Sequence, residues 1–365
     1  MTTPRILLTG ASGYIGGSVL SSLLSSDLPL LKEMTISVLV RSEDQAKVLA
    51  KIGAIPVLFN GLDDLEMIRQ IASAYDLIIN IAMSFHRGSA KAMIQGLGDR
   101  KKQTGQEVHF IHTSGTSNLG DHPITGIFIE NHVFSDKEDI FSYEKYRESI
   151  TQYDQRTSDV TVIETGLEAG VKTYIIMPPL IYGQGSGLFN KLSIQIPLLI
   201  RQAIKSGRAE IIGHGDHIWN HVHISDLTEL YKLFIHRILT TQPLTSGPRG
   251  IYFAESGEHS WCQLATGIGR AGVSLGILES SQVQHLQLED AAAKWLGGNQ
   301  KVAELGFAST SRTRADLGRE LGWEPKKTLK DFERNFLVEF ETIYTLDKNN
   351  GANLQGNKWL LEHNS

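Results

Sequence analysis

The stretch Ile6-Leu7-Leu8-Thr9-Gly10-Ala11-Ser12-Gly13-Tyr14-Ile15-Gly16-Gly17 decides how the rest of the chain is read. A short apolar run, of the kind buried as a strand, leads directly into glycines spaced G-x-x-G-x-x-G. The first glycine permits a tight turn, the second lets the backbone approach a pyrophosphate, and the third lets a following helix pack close to the strand. A helix that starts there offers unpaired N–H groups and a partial positive charge to an anion. Gly10, Ser12, Gly13, Tyr14, Ile15 and Gly16 are therefore the expected phosphate-binding residues of a dinucleotide site.

Outward from that turn the chain alternates apolar runs with helical stretches. Strands are expected at Arg5–Thr9, Ile36–Val40, Ile55–Phe59, Leu77–Ile81, His109–His112 and Thr173–Met177. They are rich in Ile, Val and Leu with little polar alternation, as strands buried on both faces are. Helices are expected at Tyr14–Ser25, Glu43–Lys51, Leu65–Ala74, Ser89–Thr104 and Phe141–Gln155. The alternation predicts an α/β fold: a Rossmann-type doubly wound parallel sheet with helices on both faces. After Pro178-Pro179 the pattern changes to a Gly-rich loop and scattered helices, read as a smaller C-terminal substrate lobe. The expected division is 1–182 for the nucleotide-binding domain, with 220–256 returning to it. The substrate lobe takes 183–219 and 257–346, and a polar, flexible tail takes 347–365.

The second expected strand ends at Arg41, where an NAD site usually carries an acidic residue for the ribose 2′-OH. A guanidinium suits a 2′-phosphate, so NADP is expected ahead of NAD. Leu62 and Asp63, after the third strand, are placed on the adenine side, and Ala82, after the fourth, along the coenzyme.

Composition narrows the function classes. The chain has 365 residues, 41% apolar and 21% charged, with a formal net charge of −5. That supports a real core and offers no basic field for nucleic acid or an anionic membrane. Cys262 is the only cysteine, so no internal disulfide forms, as fits a reducing compartment. No apolar run approaches the roughly 20 residues of a spanning helix, and no secretory signal precedes the first strand. A cytoplasmic location is the expectation.

In the segments Thr9–Gly17, Asn80-Ile81-Ala82, His112-Thr113-Ser114-Gly115, Met177–Gly183, His221–Leu227 and Leu321–Pro325 the sequence resembles the extended or atypical, epimerase/dehydratase-like branch of the short-chain dehydrogenase/reductase superfamily. The resemblance implies a Ser or Thr at the end of the fifth strand, and a Tyr four residues before a Lys. The tyrosine is the acid/base, and the lysine lowers its pKa and holds the nicotinamide ribose. It also implies a coenzyme contact at Pro178, and its helix-paired dimers allow a homodimer. The sequence departs from this set. Phe141, not a tyrosine, stands four residues before Lys145, and Gly115 occupies the usual hydroxyl position. Tyr143 lies two residues from Lys145, about 200° round a helix. One reading keeps catalysis on Ser114 (or Thr116), Tyr143 and Lys145 in a shifted register. The other has the redox set decayed, leaving a non-redox isomerase, cyclase or lyase, or a non-catalytic NADP-sensing regulator; Lys145 binds coenzyme in both.

On the substrate side, Trp219 stands where family members acting on nucleotide sugars carry a diphosphate-gripping arginine. An indole gives an apolar wall instead. Trp219, Phe189 and His86 are the expected substrate residues, His86 also as a stand-in proton donor, and Gly183–Asn190 as a flexible loop over the ligand. His214, His217, His221 and His223 fall close together but lack a carboxylate or cysteine at ligand spacing, so no metal is expected. The function read from the sequence is an NADP-binding oxidoreductase, reductase- or epimerase-like, of specialised metabolism, acting on a small and rather apolar metabolite.

Overall fold

The computed structural model describes residues 4–349. Five strands, β1 (Ile6–Thr9), β2 (Ile36–Val40), β3 (Ile55–Leu58), β4 (Leu77–Asn80) and β5 (His109–Thr113), join Lys172–Met177 and Ile251–Phe253 in one sheet. The order runs Ile251–Phe253, Lys172–Met177, β5, β4, β1, β2, β3, with every pairing parallel. This is the doubly wound order, in which the chain reverses direction across the sheet between β1 and β4 and leaves a crevice at the strands' carboxyl ends. β1, β2 and β4 are buried at every position, which is why their sequences carry continuous apolar runs. The edge strand β3 is partly exposed and holds Pro56, whose missing N–H an edge tolerates.

Smaller sheets lie outside this one. Ile218–His223 pairs parallel with Leu180–Tyr182 and antiparallel with Gly257–Ser260. Glu210–Ile212 pairs with Gln284–Leu286, and Val133–Ser135 with Arg312–Arg314. Two apolar cores result. One surrounds the seven-stranded sheet; the other gathers Trp219, Trp261, Trp295, Phe307, Phe332, Phe336 and Phe340 beneath the later helices.

The helix expected over Phe141–Gln155 is instead two, Ile140–Ile150 and Asp154–Ala169. Thr151 and Tyr153 are extended at the break. The freed backbone groups are taken up locally: Glu148 accepts from the Tyr153 amide at 2.9 Å, and Arg156 donates to the Thr151 carbonyl at 2.6 Å. The last helix, Leu329–Asn349, runs past the start of the expected tail; residues 350–365 lie outside the described residues. Among the described residues no helix is long and apolar enough to cross a membrane.

Candidate functional site

The glycine turn closes on itself and on β4. The Gly13 amide donates to the Gly10 carbonyl at 2.8 Å. Thr9 Oγ1 accepts from the Ile81 and Ala82 amides at 3.0 Å each and donates to Asn80 Oδ1 at 2.8 Å. Gly10 has φ +76°, and a Cβ on Gly16 would lie 2.1 Å from the Gly10 carbonyl oxygen. The third glycine is thus forced by the turn itself. Helix Tyr14–Leu24 begins after Gly13 with no side-chain cap, so its first amides stay available to an anion. These features fit a dinucleotide pyrophosphate.

The other expected coenzyme residues have defined surroundings. Arg41 is exposed at the end of β2 and, among the described residues, has no hydrogen bond or ion pair. Leu62 is half-buried and Asp63 exposed. His86 Nε2 meets Asp63 Oδ1 at 3.1 Å, while its Nδ1 accepts from the Ser89 amide and caps helix Arg87–Thr104. Both ring nitrogens of His86 are therefore engaged. The Pro178 carbonyl accepts from the Thr116 amide at 3.1 Å at the end of β5. The loop expected over substrate folds onto the turn: the Asn190 amide donates to the Ser12 carbonyl at 3.3 Å, and Tyr14 Oη to the Gly183 carbonyl at 2.6 Å.

Ser114, Tyr143 and Lys145 are not joined into one site. Tyr143 Oη donates to Glu130 at 3.1 Å and accepts from Arg147 at 3.0 Å. Lys145 pairs with Glu164 at 3.0 Å on the surface. Ser114 is buried and donates to Asp159 at 2.5 Å. Asn118 Nδ2 reaches Ser114, Asp159 and Glu144 at 3.2, 2.7 and 2.9 Å. Burial pushes the Asp159 carboxyl up to about 7 and Glu144 well above its usual range. Burial also pushes His112, 3.5 Å from Asp159, down to about 4.

Trp219 does not line an open site. It is buried in the second core, its ring 5.3 Å from that of Trp261 and its N–H donating to Ser309 at 3.0 Å. Phe189 is half-buried against the first core. Of the four histidines, His221 packs on Phe332 and meets His259 Nδ1 at 3.2 Å, and His223 caps helix Ile224–Leu239. His217 meets Thr310 at 3.1 Å, and His214 lies near His285.

A constellation the sequence reading missed stands at the carboxyl ends of β4 and β5. Tyr153, at the mouth of helix Asp154–Ala169, donates through Oη to Ser117 at 3.2 Å. Ser117 donates to Gln155 Oε1 at 2.8 Å, and Gln155 Nε2 donates to Ser84 at 2.8 Å. A Cβ on Gly115 would lie 3.1 Å from Gln155 Nε2, so this carboxamide fills the space beside the glycine that replaces the expected hydroxyl. Met83 turns the chain at φ +50°, a costly conformation for a side chain of its kind, and brings Ser84 to Gln155 and Phe85 to within 5.8 Å of the Tyr153 ring. Burial raises the Tyr153 pKa, while Ser117 and Arg156 oppose the rise. Four residues on stands Thr157, bonded to Glu148 at 2.5 Å, not a lysine. The missed signal is distance from the strand: Tyr153 opens the helix that leads directly into Lys172–Met177, whereas the family spacing points to Lys145.

Fold and turn together define a dinucleotide-binding α/β protein. The chain belongs to the NAD dependent epimerase/dehydratase family, whose model matches residues 6–243; it is an NAD(P)-dependent enzyme of oxidoreductase type. It is 30% identical over 308 residues to the oxidase ucsJ of an Acremonium species, covering 80% of this chain and 85% of that one. It is 25% identical over 348 residues to the uncharacterized protein YLL056C of Saccharomyces cerevisiae, covering 91% and 99%. Among solved structures it is similar to the UDP-glucose 4-epimerase of Thermotoga maritima with UDP-glucose (14% identity, 94% and 99% covered, TM-score 0.61). The dTDP-glucose 4,6-dehydratase DesIV of Streptomyces venezuelae with NAD and TYD bound gives 17% identity, 94% and 98% covered, and a TM-score of 0.62.

Proposed function

We propose that the protein is an NADP-dependent reductase of a small, rather apolar metabolite carbonyl, with Tyr153 as proton donor. The observation that carries this reading is the directed chain Tyr153–Ser117–Gln155–Ser84 at the ends of β4 and β5. Doubly wound sheets bind their ligands at that edge. When bound, the coenzyme supplies hydride. Ser117 gives its own proton to Gln155, so its lone pairs face Tyr153, whose phenol is held protonated with its O–H aimed at Ser117. A substrate oxygen arriving beside Ser117 takes that hydrogen bond and then the proton. Exposed Arg41 at the end of β2 supports recognition of a 2′-phosphate. The uncapped amides after Gly13 support binding of the pyrophosphate.

Thr157 in place of a lysine supports a second reading, coenzyme binding without hydride transfer. Stopped-flow oxidation of NADPH against a panel of apolar ketones and quinones separates the two. Turnover that falls roughly 10²–10⁴-fold in Tyr153→Phe, with NADPH binding unchanged, is the expected result. Turnover untouched by that substitution contradicts the role of Tyr153; tight NADPH binding with no turnover across the panel favours the sensing reading.

A further inference from the structure

Lys301 belongs to the second lobe, on helix Gln300–Phe307, yet reaches the reaction edge of the first. Its ammonium lies over the Tyr153 ring, 5.8 Å from the centroid, and donates to the Gln152 carbonyl at the helix break. An ammonium has three N–H donors, and this contact uses one. Among the described residues no carboxylate forms a salt bridge with Lys301. The other cation at the ring, Arg156, is fully buried and occupied. It pairs with Glu148 at 2.8 Å and donates to the Asn118 and Thr151 carbonyls. Glu148 is also taken by the Tyr153 amide and Thr157. Glu148 and the exposed Asp154 act on Lys301 only at longer range. Partial covering of the ammonium and the charge of Arg156 press the Lys301 pKa down, against the opposing pull of Asp154 and Glu148. Its side chain stays open to solvent.

We propose that Lys301 is the anion-recognising residue of the substrate site, and that the ligand is an aromatic or unsaturated carboxylic acid. This deepens the reading of Tyr153 given above and rests on it. The acid group meets the two unused N–H donors of Lys301, the unsaturated body lies along Phe85 and the face of Tyr153, and the reacting oxygen reaches Tyr153 and Ser117. Because the cation comes from the other lobe, the ligand bridges both lobes.

Cinnamate and its uncharged isostere cinnamamide test this by calorimetry on the full chain, each titrated with and without NADPH. The expected result is cinnamate binding about ten-fold more tightly than cinnamamide. In Lys301→Met that preference falls to parity, in Lys301→Arg it largely survives, and in Tyr153→Phe it is unchanged. Equal binding of acid and amide, a preference that persists in Lys301→Met, or no heat from cinnamate in either condition overturns the proposal. A protein that takes cinnamate in preference but gives no heat with NADPH indicts the coenzyme reading and leaves the anion site standing.

Discussion

Glu144 and Asp159 show how a single buried pair can govern the molecule's response to pH. Both carboxyls are sealed from water and bridged by Asn118, and Arg156 is the cation that acts on both. Their folded-state pKa values are raised, Asp159 to about 7. A raised carboxyl contributes its stability below the unfolded value near 4 and loses it as pH rises through about 7. His112 has the opposite slope, since its depressed pKa penalises the folded state as pH falls below its unfolded value. The substitution Glu144→Gln retains the bond from Asn118 and mimics the protonated acid. It is expected to raise unfolding free energy by roughly 1–3 kcal/mol near pH 8 and to change it little near pH 5. Urea denaturation at the two pH values reads this directly, and equal effects at both would contradict a raised Glu144 carboxyl. None of this was legible from the sequence, where Glu144 and Asp159 are two unremarked acids; only the fold brings them together.

Among the elements, those with a regular apolar pattern were readable and those that bury polar groups were not. β2 and helix Glu43–Lys51 lie at the bounds their composition and Ser42 cap imply. Helix Asp154–Ala169 leaves little trace in the sequence because its first turns bury Gln155, Arg156, Ser158 and Asp159, polar residues that break the amphipathic period. Because the break at Thr151–Tyr153 carries no such signal, the expected helix Phe141–Gln155 runs through Tyr153, and Tyr143, beside Lys145, is read in its place. The glycine turn was legible for the opposite reason: its backbone leaves no room for other residues. A Cβ at Gly16 meets a backbone oxygen that cannot swing away. Gly16→Ala is therefore expected to lower stability by about 1–3 kcal/mol and to weaken nucleotide binding, read as a drop in melting temperature that added NADPH does not restore. A protein as stable and as NADPH-responsive as the parent would show that the turn relaxes freely.

Across the fold, two cores meet along the edge proposed to hold the ligands. The seven-stranded sheet supplies the glycine turn, Arg41 and the Tyr153 chain, and the second lobe supplies Lys301. The doubly wound sheet was legible because buried parallel strands write themselves as apolar runs. The small sheets of the second lobe were not, since three-residue strands such as Glu210–Ile212 carry no period. Trp219 was misplaced for a related reason: a tryptophan at a family's ligand position reads as a pocket wall until the fold shows it packed on Trp261.

On the proposed reading, this edge holds a 2′-phosphorylated dinucleotide through bare amides and the Arg41 guanidinium. Calorimetric titration of the full chain with NADPH and with NADH, repeated on Arg41→Ala, measures it most directly. NADPH is expected to bind at least about ten-fold more tightly than NADH, with Arg41→Ala bringing the two to parity. Equal affinities in the unaltered protein, or no heat from either nucleotide, would contradict it.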